Sequence, residues 1–259
     1  MNLSKRTSTQ WTRIDERLAR FSAAWALAGG LSLAMDARSA PPGEAEVIAV
    51  KDHAERALER MQHGDALLKL EDLHGACKAY RECIEILQSW WVPRLALVSC
   101  GRFTGADSGE LLEHATFAVK ARPEIPMTHL QYALVLDDVG RHADAITEYQ
   151  EALRLNPQFF EAHYRLGVLY SRDGKATLAR RHLEAVLDAQ PAHVVARGLL
   201  AELFEAEGDI SAARRHLEAL AESSRFPMQA LARLIAFLER NGLKKDAVPL
   251  RVRYVRLYR

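Results

Sequence analysis

Three cysteines, ten histidines and a basic C-terminal stretch are the groups in this chain that could do chemistry. Cys77, Cys83 and Cys100 are odd in number and form no Cys-x-x-Cys pair, so neither a zinc cage nor a disulfide framework is expected. Cys77 and Cys83 stand too far apart on a helix to face one another squarely, and all three are expected as small, half-buried thiols. His63 and His163 fall on repeat-helix positions, and His182 and His216 occupy equivalent positions of successive segments. No thiol or carboxylate at ligand spacing accompanies the latter pair, so a solvated helix face is expected there and no metal site. Gly174-Lys175 lacks the upstream glycine of a phosphate-cradling loop, and no His-Glu-x-x-His, Gly-x-Ser-x-Gly or calcium-loop pattern occurs. No two carboxylates are marked out as an acid and base pair. The chain is therefore expected not to be an enzyme and to need no cofactor.

Composition points the same way. Lys plus Arg number 35 against 34 Asp plus Glu, so the net charge of +1 exerts no overall pull on nucleic acid or anionic membrane. Apolar residues make up 49% and charged residues 27%, the balance of a folded chain. Alanine and leucine dominate, which favours helices.

The elements that would position any site come from a repeat. Gly140, Gly174, Gly208 and Gly242 are 34 residues apart each time. Ala145, Ala179, Ala213 and Ala247 keep the step, as do Pro123, Pro157 and Pro191. At ordinary glycine usage, three further hits on a fixed grid have a chance probability on the order of one in ten thousand. The glycine can take a positive φ and close a helix in a left-handed cap. The alanine lets two antiparallel helices approach. The proline, without an N–H, stops the second helix. Helix, glycine turn, helix, proline turn is a hairpin that cannot bury its apolar face alone and must stack.

These residues resemble the tetratricopeptide repeat. Residues 160–193 carry His163, Leu166, Gly167, Tyr170, Ala179, Leu183 and Pro191 at that family's offsets, with His163 and Leu183 standing where the family has aromatics. Residues 126–159 match through Tyr132, Ala133, Gly140, Ala145, Tyr149, Ala152 and Pro157, and residues 194–227 through Leu200, Ala201, Phe204, Gly208, Ala213 and Leu217. Residues 228–259 match in their first half, and residues 57–90 through Gly64, Leu67, Ala76, Tyr80 and Cys83. Residues 92–125 are degenerate, with a glycine-rich loop from Gly101 to Gly109 in place of a tidy turn. The resemblance implies an all-α, right-handed solenoid of stacked hairpins over 57–259, with a cap at the C-terminal end and a helical extension at 1–56.

Within that extension, Trp11, Ile14, Leu18, Phe21 and Trp25 share a helical face, Ser8 is a possible N-cap, and a second helix is expected near Glu44. The competing outline is a signal-like segment: residues 21–35 carry no charge until Asp36, and Lys5, Arg6, Arg13, Arg17 and Arg20 precede them. Capping favours a cytoplasmic chain; a signal would make it periplasmic or otherwise exported. At the other end Arg240, Lys244, Lys245, Arg251, Arg253, Arg256 and Arg259 face only Asp246, and Pro249 is expected to shift or kink the last helix.

The resemblance further implies that the first helices of successive hairpins line a concave groove for an extended or helical peptide. Carried onto matching positions, the groove takes Leu130, Leu134, Asp137 and Asp138 from one unit and Glu161, Tyr164, Val168, Ser171 and Arg172 from the next. Val195, Glu202 and Glu205 follow, then Gln229, Glu239 and Arg240. Acidic residues outnumber basic ones on these positions, so the expected partner is a protein or peptide with apolar anchors and some basic residues. Met61 and Asp65 stand where family members that clamp a chaperone's C-terminal carboxylate carry Lys and Asn, which argues against that role. The leading expectation is a protein–protein interaction scaffold or adaptor. An exported envelope assembly factor of the secretin or pilus type is the alternative, and polyanion or nucleic-acid binding through the basic tail is a third.

Overall fold

The computed structural model describes residues 44–223 and 227–258, and the expectations for Ser8, Trp11 to Trp25 and the uncharged stretch lie outside them. The described residues form twelve α-helices and no strand. They divide into two compact units, residues 1–121 and 122–259.

In the first unit, α1 (Glu44–Lys69) pairs with α2 (Leu73–Ile86), and α3 (Trp91–Thr104) pairs with α4 (Ser108–Ala121). Helix α1 is unbroken from Glu44 to Lys69, so the boundary set at 56/57 falls inside it, where apolar side chains from Ala57 onward become buried. The supposedly degenerate segment is an ordinary hairpin. Helix α3 runs to Thr104, Gly105 closes it at φ 72°, and α4 begins three residues later at Ser108. Asp107 accepts from the Glu110 N–H at 2.8 Å, capping α4. The segment looked irregular for two reasons. Its left-handed residue is at 105 and the next at 140, one residue off the 34-residue beat. Glu110 also occupies the place where later units put their buried alanine.

Cys77 and Cys100 join α2 to α3 by a disulfide, with Cα atoms 6.1 Å apart. This corrects the expectation of three free thiols. Neither spacing nor count can reveal a bridge between helices of different hairpins. All three cysteines are buried, and only Cys83 is free. Burial pushes the Cys83 thiol up to about 12.

The second unit stacks four hairpins: α5 (Pro126–Asp138) with α6 (His142–Leu155), α7 (Phe160–Arg172) with α8 (Ala176–Ala189), α9 (Val194–Ala206) with α10 (Ile210–Ser223), and α11 (Pro227–Arg240) with α12 (Lys244–Tyr258). Each hairpin turns on the same device. At Gly174 the backbone has φ 71°, and the following N–H of Lys175 reaches back to the Tyr170 carbonyl at 2.9 Å. The bonds Arg141 to Leu136, Asp209 to Phe204 and Leu243 to Leu238 repeat it at 2.8, 2.9 and 2.8 Å. The alanines on the repeat grid, Ala145, Ala179, Ala213 and Ala247, are all buried at the hairpin crossing. Apolar side chains complete the core; Leu217, Leu231, Phe237 and Leu238 belong to one cluster around the last two hairpins. Pro249 lies inside α12, which stays helical from Lys244 to Tyr258. The cost is one lost N–H bond near an exposed helix start, where water can serve the freed carbonyl.

Candidate partner-binding face

The first helices α5, α7, α9 and α11 begin just after the inter-hairpin turns and carry the residues the sequence assigned to a groove. Helix α7 packs against α8 and also touches α9, so first helices of neighbouring hairpins adjoin. What fixes their starts is a side chain that reaches back to a proline carbonyl. His129 donates through Nε2 to Pro123 O at 2.8 Å, His163 through Nε2 to Pro157 O at 2.9 Å, and Arg197 to Pro191 O. The prolines at the unit ends therefore also supply the acceptors that hold the next helix in place.

The two histidines also meet a partner on the second helix of their own hairpin. His129 contacts Glu148 at 2.7 Å, and His163 Nδ1 contacts His182 Nδ1 at 2.9 Å. With His163 Nε2–H given to Pro157, its Nδ1 accepts from His182 Nδ1–H. Tyr170 stacks on His182 at 5.6 Å, and Phe204 stacks on His216 at 5.4 Å. Burial, then His163 and Arg181, push His182 down to about 4, and burial followed by Arg197 and Arg215 lowers His216. His182 and His216 thus belong to the hairpin interior, which corrects the expected solvated face. The aromatic partners, 12 residues upstream of each, decide this by covering the rings. Among the described residues no three of His, Cys, Asp or Glu come close enough to share a metal ion.

The assigned groove residues divide. Leu130 and Leu134 are 4% and 5% exposed and belong to the core, a correction to their place in the groove. Both carry large apolar side chains, and the helix rotates to bury them. Tyr164 and Val168 are half-buried, and Asp138, Arg172, Glu202 and Arg240 are exposed. The Tyr164 ring lies 5.0 Å from His193, and burial raises its phenol. Val194 and Val195, at the start of α9, are exposed beside it in sequence.

The carboxylates are not free. Glu161 takes the Arg165 guanidinium at 2.9 Å, and Asp137 lies 4.0 Å from Arg165 and 3.0 Å from His142. Glu202 pairs with Arg233 at 2.5 Å, Glu205 pairs with Arg240 at 3.0 Å and accepts from Asn241 at 2.9 Å, and Glu239 pairs with Arg251. Arg233 also donates to Gly198 O at 3.0 Å and lies where a Cβ at Gly198 would meet its Nη1 at 2.6 Å. Arg233 and Arg240 come from the hairpin after that of Glu202 and Glu205, so these pairs tie one hairpin to the next, while Glu239 with Arg251 joins the two helices of the last hairpin. Arg165 and Arg233 were not assigned from sequence. The signal that could have found Arg233 is its spacing of 31 residues from Glu202, close to one repeat.

Comparison with known proteins follows this geometry. Models of the tetratricopeptide repeat match residues 60–86, 138–174 and 171–236. The TPR repeat-containing thioredoxin TTL4 of Arabidopsis thaliana is 42% identical over 66 residues, 26% of this chain and 10% of its own length. The chain thus spans a small part of that relative. Among solved structures, pilF of Pseudomonas aeruginosa superposes with a TM-score of 0.66 at 19% identity, covering 80% of this chain and 94% of that one. YrrB, described as a TPR protein with an unusual peptide-binding site, gives 0.56 at 19% identity over 73% and 97%. MamA of Desulfovibrio magneticus gives 0.56 at 20% over 70% and 94%. At such identities these structures speak for the fold alone. With hairpins closing on left-handed glycines at a 34-residue interval, and with models of that same unit matching residues 60–86 and 138–236, this chain carries tetratricopeptide repeats over those residues.

Proposed function

We propose that the chain is a protein–protein interaction scaffold that holds a peptide or helix of a partner across the first-helix face of α7 and α9. The observation that carries this reading is the environment of Tyr164. Its ring is half-buried against His193, with Val168 one turn further along α7 and Val194 and Val195 exposed on α9. Aromatic and aliphatic surface framed by paired charges is what an apolar anchor of a peptide needs.

The partner carries apolar anchors and some basic residues. The basic preference is weaker than the count of carboxylates alone implies. Arginines already neutralise Glu161, Glu202, Glu205 and Glu239, so the field over the face is small and most affinity comes from burial. Captured partners should lose about tenfold in affinity on Tyr164→Ala, and several-fold on Glu202→Ala, with little change in melting temperature. Isothermal titration and thermal melts of the two variants check this. A fall in melting temperature with unchanged binding would sink the face assignment.

For location, the cytoplasmic scaffold competes with an exported assembly factor. The Cys77–Cys100 bridge supports the exported alternative, because such bonds persist in oxidising compartments. The uncharged stretch at residues 21–35 is compatible with it.

A further inference from the structure

The last helix, α12, presents an unusual outer face. A terminal helix of a repeat array is expected to turn a polar face to water. Here Ala247, Leu250 and Tyr254 pack onto α11, while Val248, Val252 and Val255 stand 58%, 49% and 51% exposed. Their spacing of four and then three residues puts them in one row, the spacing of a coiled-coil seam. Cations border the row on both sides. Lys244 and Arg251 lie on one flank and Arg256 on the other, at the positions that meet a partner helix's flanking charges. Lys244 and Arg256 make no ion pair among the described residues, and Arg251 is held by Glu239. Asp246, the one carboxylate of the helix, is turned away into a 2.6 Å pair with Arg214.

We propose that this face docks a helix of another protein, one with an apolar seam and acidic flanks. A second copy of this chain does not fit. In a parallel pair Arg251 would face Arg256 of the other copy, and in an antiparallel pair like flanks would again meet. Anionic membrane is less suited, because the row is two turns of valine with no tryptophan or phenylalanine to insert. The seam is short, so the contact is weak and exchanges readily. It is separate from the first-helix face around Tyr164 and does not rest on it.

The test uses the full chain and two labelled three-heptad probe peptides with Ile and Leu in the seam, one flanked by Glu and one by Lys. Fluorescence anisotropy should show the Glu probe binding at least about tenfold tighter than the Lys probe, with affinity falling as salt rises. Val252→Asp should cost about tenfold, and Lys244→Glu with Arg256→Glu should reverse the preference between probes. Circular dichroism melts check that the variants remain folded. Equal binding of the two probes, or indifference to Val252→Asp, overturns the proposal. So does dimerisation in sedimentation that Val252→Asp abolishes. Tighter, Val252-dependent binding to phosphatidylserine vesicles or to an oligonucleotide than to the Glu probe overturns it as well.

Discussion

Gly174 and Gly167 lie seven residues apart and are required for opposite reasons. Gly174 has open space where a Cβ would stand, but its φ is 71°. Gly167 has an ordinary helical backbone, but a Cβ there would meet Leu183 Cγ at 2.7 Å. One glycine serves the turn and the other the helix crossing. Gly174→Ala should therefore lower stability by about 1 kcal/mol through backbone strain alone. Gly167→Val should cost more, about 1–3 kcal/mol, by forcing α7 and α8 apart. Urea denaturation of the two variants separates these effects, and a Gly174→Asn control should recover part of the first loss because asparagine tolerates the left-handed region. Glu71, at φ 62°, shows that the fold accepts a non-glycine in this role where Asp72 N–H still reaches Leu67 O at 3.0 Å.

At the scale of the hairpin, the contact made by one repeat position of the first helix changes chemistry while keeping its place. It is His129 with Glu148, His163 with His182 and Arg197 near His216, and in the last unit the position is Leu231, in the core. Polar versions are fastened to a proline carbonyl, and the apolar version belongs to the core. These contacts make stability depend on pH. The His182 value of about 4 lies below the ordinary histidine value near 6.5, so the unfolded chain takes up the proton first. Stability is then complete above about pH 6.5 and is lost as pH falls toward about 4. His114, His193 and His216 are lowered as well and act in the same direction. Urea midpoints of the native chain should drop between pH 7 and pH 5. His182→Gln, which keeps a polar partner for His163, should flatten that dependence without abolishing it.

For the whole molecule, the disulfide adds a covalent tie between the hairpins of the first unit, while ion pairs such as Glu205 with Arg240 join hairpins of the second. The bridge spans 23 residues, for which loop closure gives about 3 kcal/mol of stabilisation. Alkylation with mass analysis should find no reactive thiol in the native chain, one after unfolding without reductant, and three after unfolding with reductant, because Cys83 is fully buried. Three labels in the absence of reductant would exclude the bridge and, with it, the support for an oxidising location.

The repeat was legible in the sequence because glycine, alanine and proline act locally. A left-handed turn, a close crossing and a helix stop each demand one residue type at one place, so the 34-residue beat survives in the letters. The hairpins of the second unit follow from that beat. The first unit was harder to read, since Glu71 replaces the turn glycine, Glu110 replaces the alanine, and the step from Gly105 to Gly140 is one residue too long. Only the tertiary structure decided which members of a helix face water. Leu130 and Leu134 go inward, the arginines of later helices close over Glu202, Glu205 and Glu239, and Cys77 finds Cys100. Such contacts join residues about 12 to 35 positions apart, and their formation depends on the rotation of each helix against its neighbours, which packing sets and local propensity does not.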